Sequence, residues 1–416
     1  MSLKALVIGA GWAGEGHTLA LRAADVEVVA LCGRSPQPAL AMGAKLGIEQ
    51  VRFDWRKALE EFHPDIVSIA TPAKPHLEMV EVAAKLGCHI CCDKPLGINV
   101  AEARTMYAAV EQARVKHAYA ATGRYAPMYI YARKLISDGL IGSVREIEST
   151  VHFDTTLWPY LQMLHRQDEG GGMLNNAFTH HLAQIMQVTD GVVMAVAGQA
   201  HHLIERVPVG ATFHDMRDIF TNIPTQEQAA AGEWRAVDAD FGCTVMLQMR
   251  MPQGNTANAL CHASGTSTSA HSEDFAFYGV KGTLFLTNTN GVERIQHFDK
   301  AHPEWQDISV PQTIIDCLPQ IANPVQRNWN QFFKEFVSDV RGEGYVGYPT
   351  FRDGWIASEV IDIVHGGIQW TPGDDELAAY FTPDNLRYGY TVRNLLTLQM
   401  LDRIWRVLKP EPERSL

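Results

Sequence analysis

Short apolar runs alternate with amphipathic stretches over residues 4–121, and that rhythm sets the first expectation. Ala5–Ile8, Val26–Leu31, Ile66–Thr71, His89–Cys92 and Ala118–Thr122 read as strands. The stretches 14–23, 37–46, 74–86 and 99–115 place apolar residues at helical spacing and read as the helices between them. Parallel neighbours need a crossover, and the crossover is right-handed, so the alternation predicts βαβ units around a parallel sheet.

After Gly142 the texture changes. Val144–Phe153, Val192–Ala200, Phe241–Met251, Thr256–Ala263, Asp274–Gly279, Thr283–Thr287 and Val292–Phe298 read as strands, several with polar and apolar residues in alternation. Such alternation predicts an open, mostly antiparallel sheet with helices on one face. The free face calls for a cover, and the expectation is a homo-dimer or homo-tetramer formed through this sheet. A helix is expected after Gly170-Gly171-Gly172, and two more at 323–341 and 352–365. Residues 203–236 show too little pattern for a strand and read as a loop inserted over the site. The fold class is therefore α/β, with a dinucleotide-binding domain over 1–124 and a second α/β domain over 125–368. A helical extension over 369–416, with Val392, Leu395, Leu396, Leu401, Ile404, Trp405 and Leu408 on its apolar side, is expected to pack on the body or on a partner subunit.

Composition narrows the function. A net charge of −12 argues against nucleic acid, and no window approaches the roughly 18 apolar residues of a membrane span. The amino terminus lacks a signal pattern, and seven cysteines without framework spacing fit a reducing compartment, so a cytoplasmic location is expected. Cys88 and Cys91 form a C-x-x-C, but on a buried strand and without a second pair to complete a metal site; no metal is expected.

Gly9-Ala10-Gly11-Trp12-Ala13-Gly14 follows the first strand and opens the first helix. Gly9 allows the tight turn, Gly11 lets backbone approach a pyrophosphate, and Gly14 lets helix and sheet pack closely; the helix amino terminus favours the phosphates. After the second strand the chain reads Gly33-Arg34-Ser35, with no carboxylate for a ribose 2′-hydroxyl. Guanidinium and hydroxyl donors suit a 2′-phosphate, so NADP(H) is preferred and NAD(H) possible. Lys94, in Cys92-Asp93-Lys94-Pro95-Leu96, ends another strand at the edge where ligands bind and is placed to polarise an oxygen there.

The ordered set resembles the glucose–fructose oxidoreductase / inositol 2-dehydrogenase (Gfo/Idh/MocA) family. It comprises the glycine run ending in His17, Ala70-Thr71-Pro72 with His76, Asp93-Lys94-Pro95-Leu96, Gly123-Arg124-Tyr125 with Pro127, Gly139 and Gly142, Gly170–Gly172 leading to His180, and Phe277–Thr283. The resemblance covers about residues 4–366. It implies hydride transfer between a nicotinamide and a sugar, inositol or related polyol, with Thr71, Pro72, His76 and Asp93 beside the cofactor. It carries the catalytic lysine onto Lys94 and the histidine of an Asp-x-x-x-His motif onto His180, while Asn176 stands where the family has aspartate. Arg124, Tyr125, His152 and Trp158 are expected to line the substrate pocket. Two other readings implied by relatives stay open: a glycosidase using NAD for transient oxidation, and a nucleotide-sensing regulator without catalysis.

Overall fold

The computed structural model describes residues 2–154, 161–210, 215, 217, 225–267 and 271–368. The expected tail over 369–416 lies outside the described residues.

Six strands, β1 (Lys4–Ile8), β2 (Glu27–Cys32), β3 (Val51–Arg52), β4 (Ile66–Ile69), β5 (His89–Cys92) and β6 (His117–Tyr119), form one sheet in the order β3-β2-β1-β4-β5-β6. Every pairing is parallel. Helices α1 (Trp12–Ala23), α2 (Pro36–Leu46), α3 (Trp55–Phe62), α4 (His76–Lys85) and α5 (Val100–Ala113) connect successive strands. This is the Rossmann order, and its direction reverses between β1 and β4, which places the binding crevice at their carboxyl ends. β3 and α3 did not stand out in the apolar pattern, because β3 has two residues and half of α3 is charged. The Asp54 side chain caps α3, accepting from the Arg56 and Lys57 amides. β4 is shorter than expected, since Ala70 and Thr71 already turn out of the sheet, and β6 stops at Tyr119 before a 3₁₀ turn, Thr122–Tyr125.

Beyond α6 (Pro127–Ser137), an eight-stranded sheet follows. It contains β7 (Val144–His152), β8 (Val192–His201), β11 (Gly242–Arg250), β12 (Thr256–Ser264), β13 (Ser272–Gly279), β14 (Gly282–Thr289), β15 (Val292–Asp299) and β16 (Trp305–Ile308). Their order is β16-β15-β14-β13-β7-β12-β11-β8, antiparallel throughout except for β7 with β12. Alternation sends Ile147, Val151, Val245, Leu247, Phe275 and Phe277 inward, where they pack with α6, α7 (Thr179–Thr189) and the helix Phe351–Gly366. Met194, Met246 and Leu260 stand exposed on the other face, with Met246 and Leu260 directly opposite in register. Residues 203–236 do not lack strands as expected. β9 (Arg206–Pro208) and β10 (Trp234–Ala236) pair antiparallel, with the short helix Gln226–Ala231 before β10. Strands of three residues, one of them wholly exposed, are too brief to show a period.

The helix Pro324–Val340 returns to the first sheet. Its Trp329, Phe332, Phe333 and Phe336 share a core with Ala5 and Val7 of β1 and Ala20 and Leu21 of α1. A side chain on Gly16 of α1 would overlap the Trp329 ring, so the two helices meet at this glycine. Phe333 is fully buried, and Phe333→Ala should lower stability by about 3–5 kcal/mol in urea denaturation.

Candidate active site

The β1–α1 turn is a cradle with no room for a side chain at Gly9 or Gly14. Gly9 adopts φ 125° and a Cβ there would overlap the Ala70 carbonyl; a Cβ on Gly14 would overlap the Gly9 carbonyl. Gly11 caps α1 without a side-chain hydrogen bond, leaving the first amides of the helix to a ligand. The Trp12 ring lies 4.8 Å from that of Trp329 with the planes tilted by 56°, and Ala13 continues the first turn. Gly33 is buried where a Cβ would come within 2.9 Å of Ala10 and 2.7 Å of Ala39. Arg34 is exposed beside it, and Ser35 is the N-cap position of α2, its hydroxyl making no capping bond. These residues fit a dinucleotide.

At the same sheet edge, two turns are tied together from behind. His76 is fully buried, with Nε2 2.8 Å from the Thr71 carbonyl and Nδ1 3.1 and 3.0 Å from the Pro95 and Leu96 carbonyls. Burial lowers its pKa despite these carbonyls. The His76 ring is enclosed by backbone and braces the Thr71-Pro72 turn against the Lys94–Leu96 turn. The Lys94–Pro95 bond is cis, and the Lys94 amide donates to Asp93 Oδ1 at 2.7 Å.

Lys94 Nζ donates to Asn176 Oδ1 at 3.3 Å and to its carbonyl at 3.4 Å. Asn176 in turn donates from Nδ2 to the carbonyls of Gly172 at 2.8 Å and Gly170 at 3.3 Å. An ionised aspartate here would set an oxygen against two carbonyls, so the pocket around residue 176 is shaped for an amide. Asn176 lies in a single π-type turn, Leu174–Phe178, which runs directly into α7. That turn is held by Asp240, whose Oδ2 accepts from the Leu174 amide at 2.9 Å while Oδ1 meets His365 Nε2 at 3.2 Å. The neighbouring Asn175 is buried and donates to the Gly171 carbonyl instead of meeting Lys94.

His180 follows one turn later, against the bare backbone of Gly123, where a Cβ would lie 3.4 Å from Nδ1. Burial, then the Lys94 charge and then His181 push His180 down to about 3; Glu273 acts in the opposite sense. His181 is buried against Phe275. Glu273 of β13 is a member of the site that motif reading missed. It accepts from Tyr129 Oη at 3.4 Å and pairs with His271 at 3.4 Å, and its charge reaches both His180 and His181. Its signal was the alternation itself: if Phe275 and Phe277 face inward, so does Glu273.

The structure does not bring the remaining expected residues to Lys94. Arg124 Nη2 donates to the Gly347 carbonyl at 3.3 Å, and Tyr125 Oη donates to Glu335 at 2.6 Å, both lining a cavity farther along α7. His152 stands on the open face of the second sheet, its Nδ1 2.9 Å from Ser267 Oγ and its ring 6.2 Å from that of His262. Trp158 lies outside the described residues.

Residues 3–120 match the oxidoreductase family with an NAD-binding Rossmann fold, and residues 129–285 match the GFO/IDH/MocA C-terminal domain. The chain belongs to the Gfo/Idh/MocA family. Within it, levoglucosan dehydrogenase of Pseudarthrobacter phenanthrenivorans is 30% identical over 43% of this chain and 49% of its own length. D-apiose dehydrogenase of Paraburkholderia graminis is 36% identical over 34% of this chain and 38% of its own. The chain thus spans about half or less of these two relatives. Inositol 2-dehydrogenase of Rhizobium meliloti is 24% identical over 62% of this chain and 76% of its own. A levoglucosan dehydrogenase structure, in complex with NADH and L-sorbose, shares the fold with a TM-score of 0.75 at 22% identity, covering 87% of this chain and 96% of that one.

His180 resists protonation when folded but takes a proton near 6.5 when unfolded, so the unfolded state gains protons as pH falls below that value. Stability should therefore be full above pH 6.5 and fall steadily towards pH 4, with a lower urea midpoint at pH 5 than at pH 7.5. Part of that difference should disappear in His180→Gln.

Proposed function

We propose that the protein is an NAD(P)-dependent dehydrogenase or reductase acting on a secondary alcohol or carbonyl of a sugar, inositol or related polyol. The observation that carries this reading is the Lys94 ammonium, held 3.3 Å from Asn176 Oδ1 at the carboxyl edge of the Rossmann sheet, with His180 one turn beyond. The sugar and polyol dehydrogenases among its relatives support the substrate class. The nicotinamide supplies the hydride acceptor or donor when bound.

His180, neutral in its pocket, takes the hydroxyl proton as a general base. Lys94 donates a hydrogen bond to the same oxygen and favours the negative charge that develops on it. Asn176 orients Lys94 without neutralising it, so the ammonium acts on the oxygen with its full charge. Glu273 supplies negative charge on the sheet side of His180 and tempers the pull of Lys94 against protonation. Lys94→Ala and His180→Ala should each lower kcat by about 10²–10⁴-fold, with cofactor Kd changed far less, in steady-state assays at 340 nm against a polyol panel. Unchanged kcat in either variant would overturn the reading.

Arg34 and Ser35 favour NADP(H), because the exposed guanidinium has no ion pair or hydrogen bond among the described residues and is open to a 2′-phosphate. Fluorescence titration should show NADPH binding tighter than NADH, and Arg34→Ala should weaken NADPH by roughly tenfold while leaving NADH nearly unchanged. A second copy of this chain is the occupant we assign to the exposed Met194, Met246 and Leu260 face, giving a homo-dimer or homo-tetramer.

A further inference from the structure

Asn176 and His180 stand four residues apart, on either side of the point where the π-type turn Leu174–Phe178 becomes α7. In a regular α-helix four residues overshoot a full turn by about 40°, so two such side chains diverge. A π-type turn holds more residues per turn, which takes up that overshoot and brings both side chains towards one line. The Lys94 ammonium that touches Asn176 Oδ1 accordingly reaches His180 with its charge.

An acid from outside the turn meets its first residues. Asp240, in the connection from β10 to β11, accepts from the Met173 amide on its carbonyl at 3.0 Å and from the Leu174 amide on Oδ2 at 2.9 Å. Gly172, at φ 91°, lies so close that a Cβ there would overlap the same carboxylate. Asp240 is 1% exposed, so its protein partners decide where its oxygens point. The partner of Oδ1 is His365 Nε2 at 3.2 Å, from the last turn of the helix Phe351–Gly366. This imidazole is itself fixed. Gln167 Nε2 lies 3.3 Å from His365 Nδ1, and an amide nitrogen only donates, so Nδ1 accepts and the proton sits on Nε2, facing Asp240. Gln167 precedes the Gly170–Gly172 turn, and its own backbone amide donates to Asp238 Oδ1 at 2.8 Å. The chain of contacts thus begins and ends on the two sides of the glycine turn whose carbonyls receive Asn176.

We propose that Asp240 and His365 are positioning residues of the dehydrogenase site: together they fix the π-type turn, and through it the alignment of Asn176 and Lys94 with His180. The proposal rests on the dehydrogenase reading, so one arm of its test needs turnover and the other does not. His365→Leu removes the donor to Asp240 Oδ1, whereas His365→Gln keeps an amide donor there. In cofactor-free protein, hydrogen exchange read by mass spectrometry should be about tenfold faster over residues 173–178 in His365→Leu and near the wild-type rate in His365→Gln. In steady-state assays His365→Leu should lower kcat by roughly 10- to 100-fold, with cofactor Kd held within about twofold, and His365→Gln should recover most of the loss. In an Asn176→Ala background the further loss from His365→Leu should shrink to about threefold or less, because the residue it acts through is gone. If His365→Leu fails to fold by circular dichroism, Gln167→Met takes its place, freeing the imidazole while leaving carboxylate and turn intact, with losses in the same direction. Unchanged exchange, an equal kcat loss in both His365 variants, or a full loss retained beside Asn176→Ala would overturn the proposal. Wild-type protein inert towards every polyol, with exchange responding as described, would support the clamp and overturn the dehydrogenase reading instead.

Discussion

The amide of Asn176 joins the two halves of the molecule where chemistry is proposed. Its oxygen receives Lys94 from the end of β5, and its nitrogen is spent on two glycine carbonyls of the turn that leads into α7. A carboxylate could make the first contact but would face repulsion at the second; an apolar side chain could make neither. The amide therefore sets the direction of the lysine, the path of the Gly170–Gly172 turn and, one turn later, the place of His180. Asp240 and His365 hold that turn from its other side, and His76 holds the lysine turn, so the contact is braced from both directions.

Electrostatically, an amide in place of an acid brings no negative charge to Lys94, whose charged neighbour is Asp93. The ammonium is itself made less basic by burial, and it makes His180 harder to protonate. Glu273, Tyr129 and His271 form a separate polar group on the sheet side, from which negative charge reaches the imidazole without touching the substrate face. In the proposed reaction, the work that one aspartate does in the family pattern is divided between an uncharged residue that positions and a more distant one that is charged.

Much of the frame was legible in the chain. Period-two and helical spacing outlined both sheets, and the glycine run located the dinucleotide cradle because each glycine answers a steric demand that can be stated in advance. Short elements escaped, since β3, β9 and β10 span too few residues for a period to exist. Side-chain direction was the harder loss. Arg124 and Tyr125 follow the right strand, but the 3₁₀ turn at 122–125 sends them to a cavity farther along α7, and local spacing does not encode that rotation. The bracing contacts of His76 were not legible, because a fully enclosed imidazole is distinguished from an accessible one by tertiary packing alone.

The parallel pairing of β7 with β12 bears on how the chain is made. β7 lies between β12 and β13 in the finished sheet, yet those strands begin at Thr256 and Ser272, far downstream of Val144. During synthesis, β7 emerges with Ile147 and Val151 turned towards a core that does not yet exist, and with both of its edges unpaired. Pairings so distant in sequence are slow to form, and an unpaired apolar strand is a template for other chains. The same connection that closes the second sheet thus obliges the growing polypeptide to shelter one strand until more than a hundred later residues have been added.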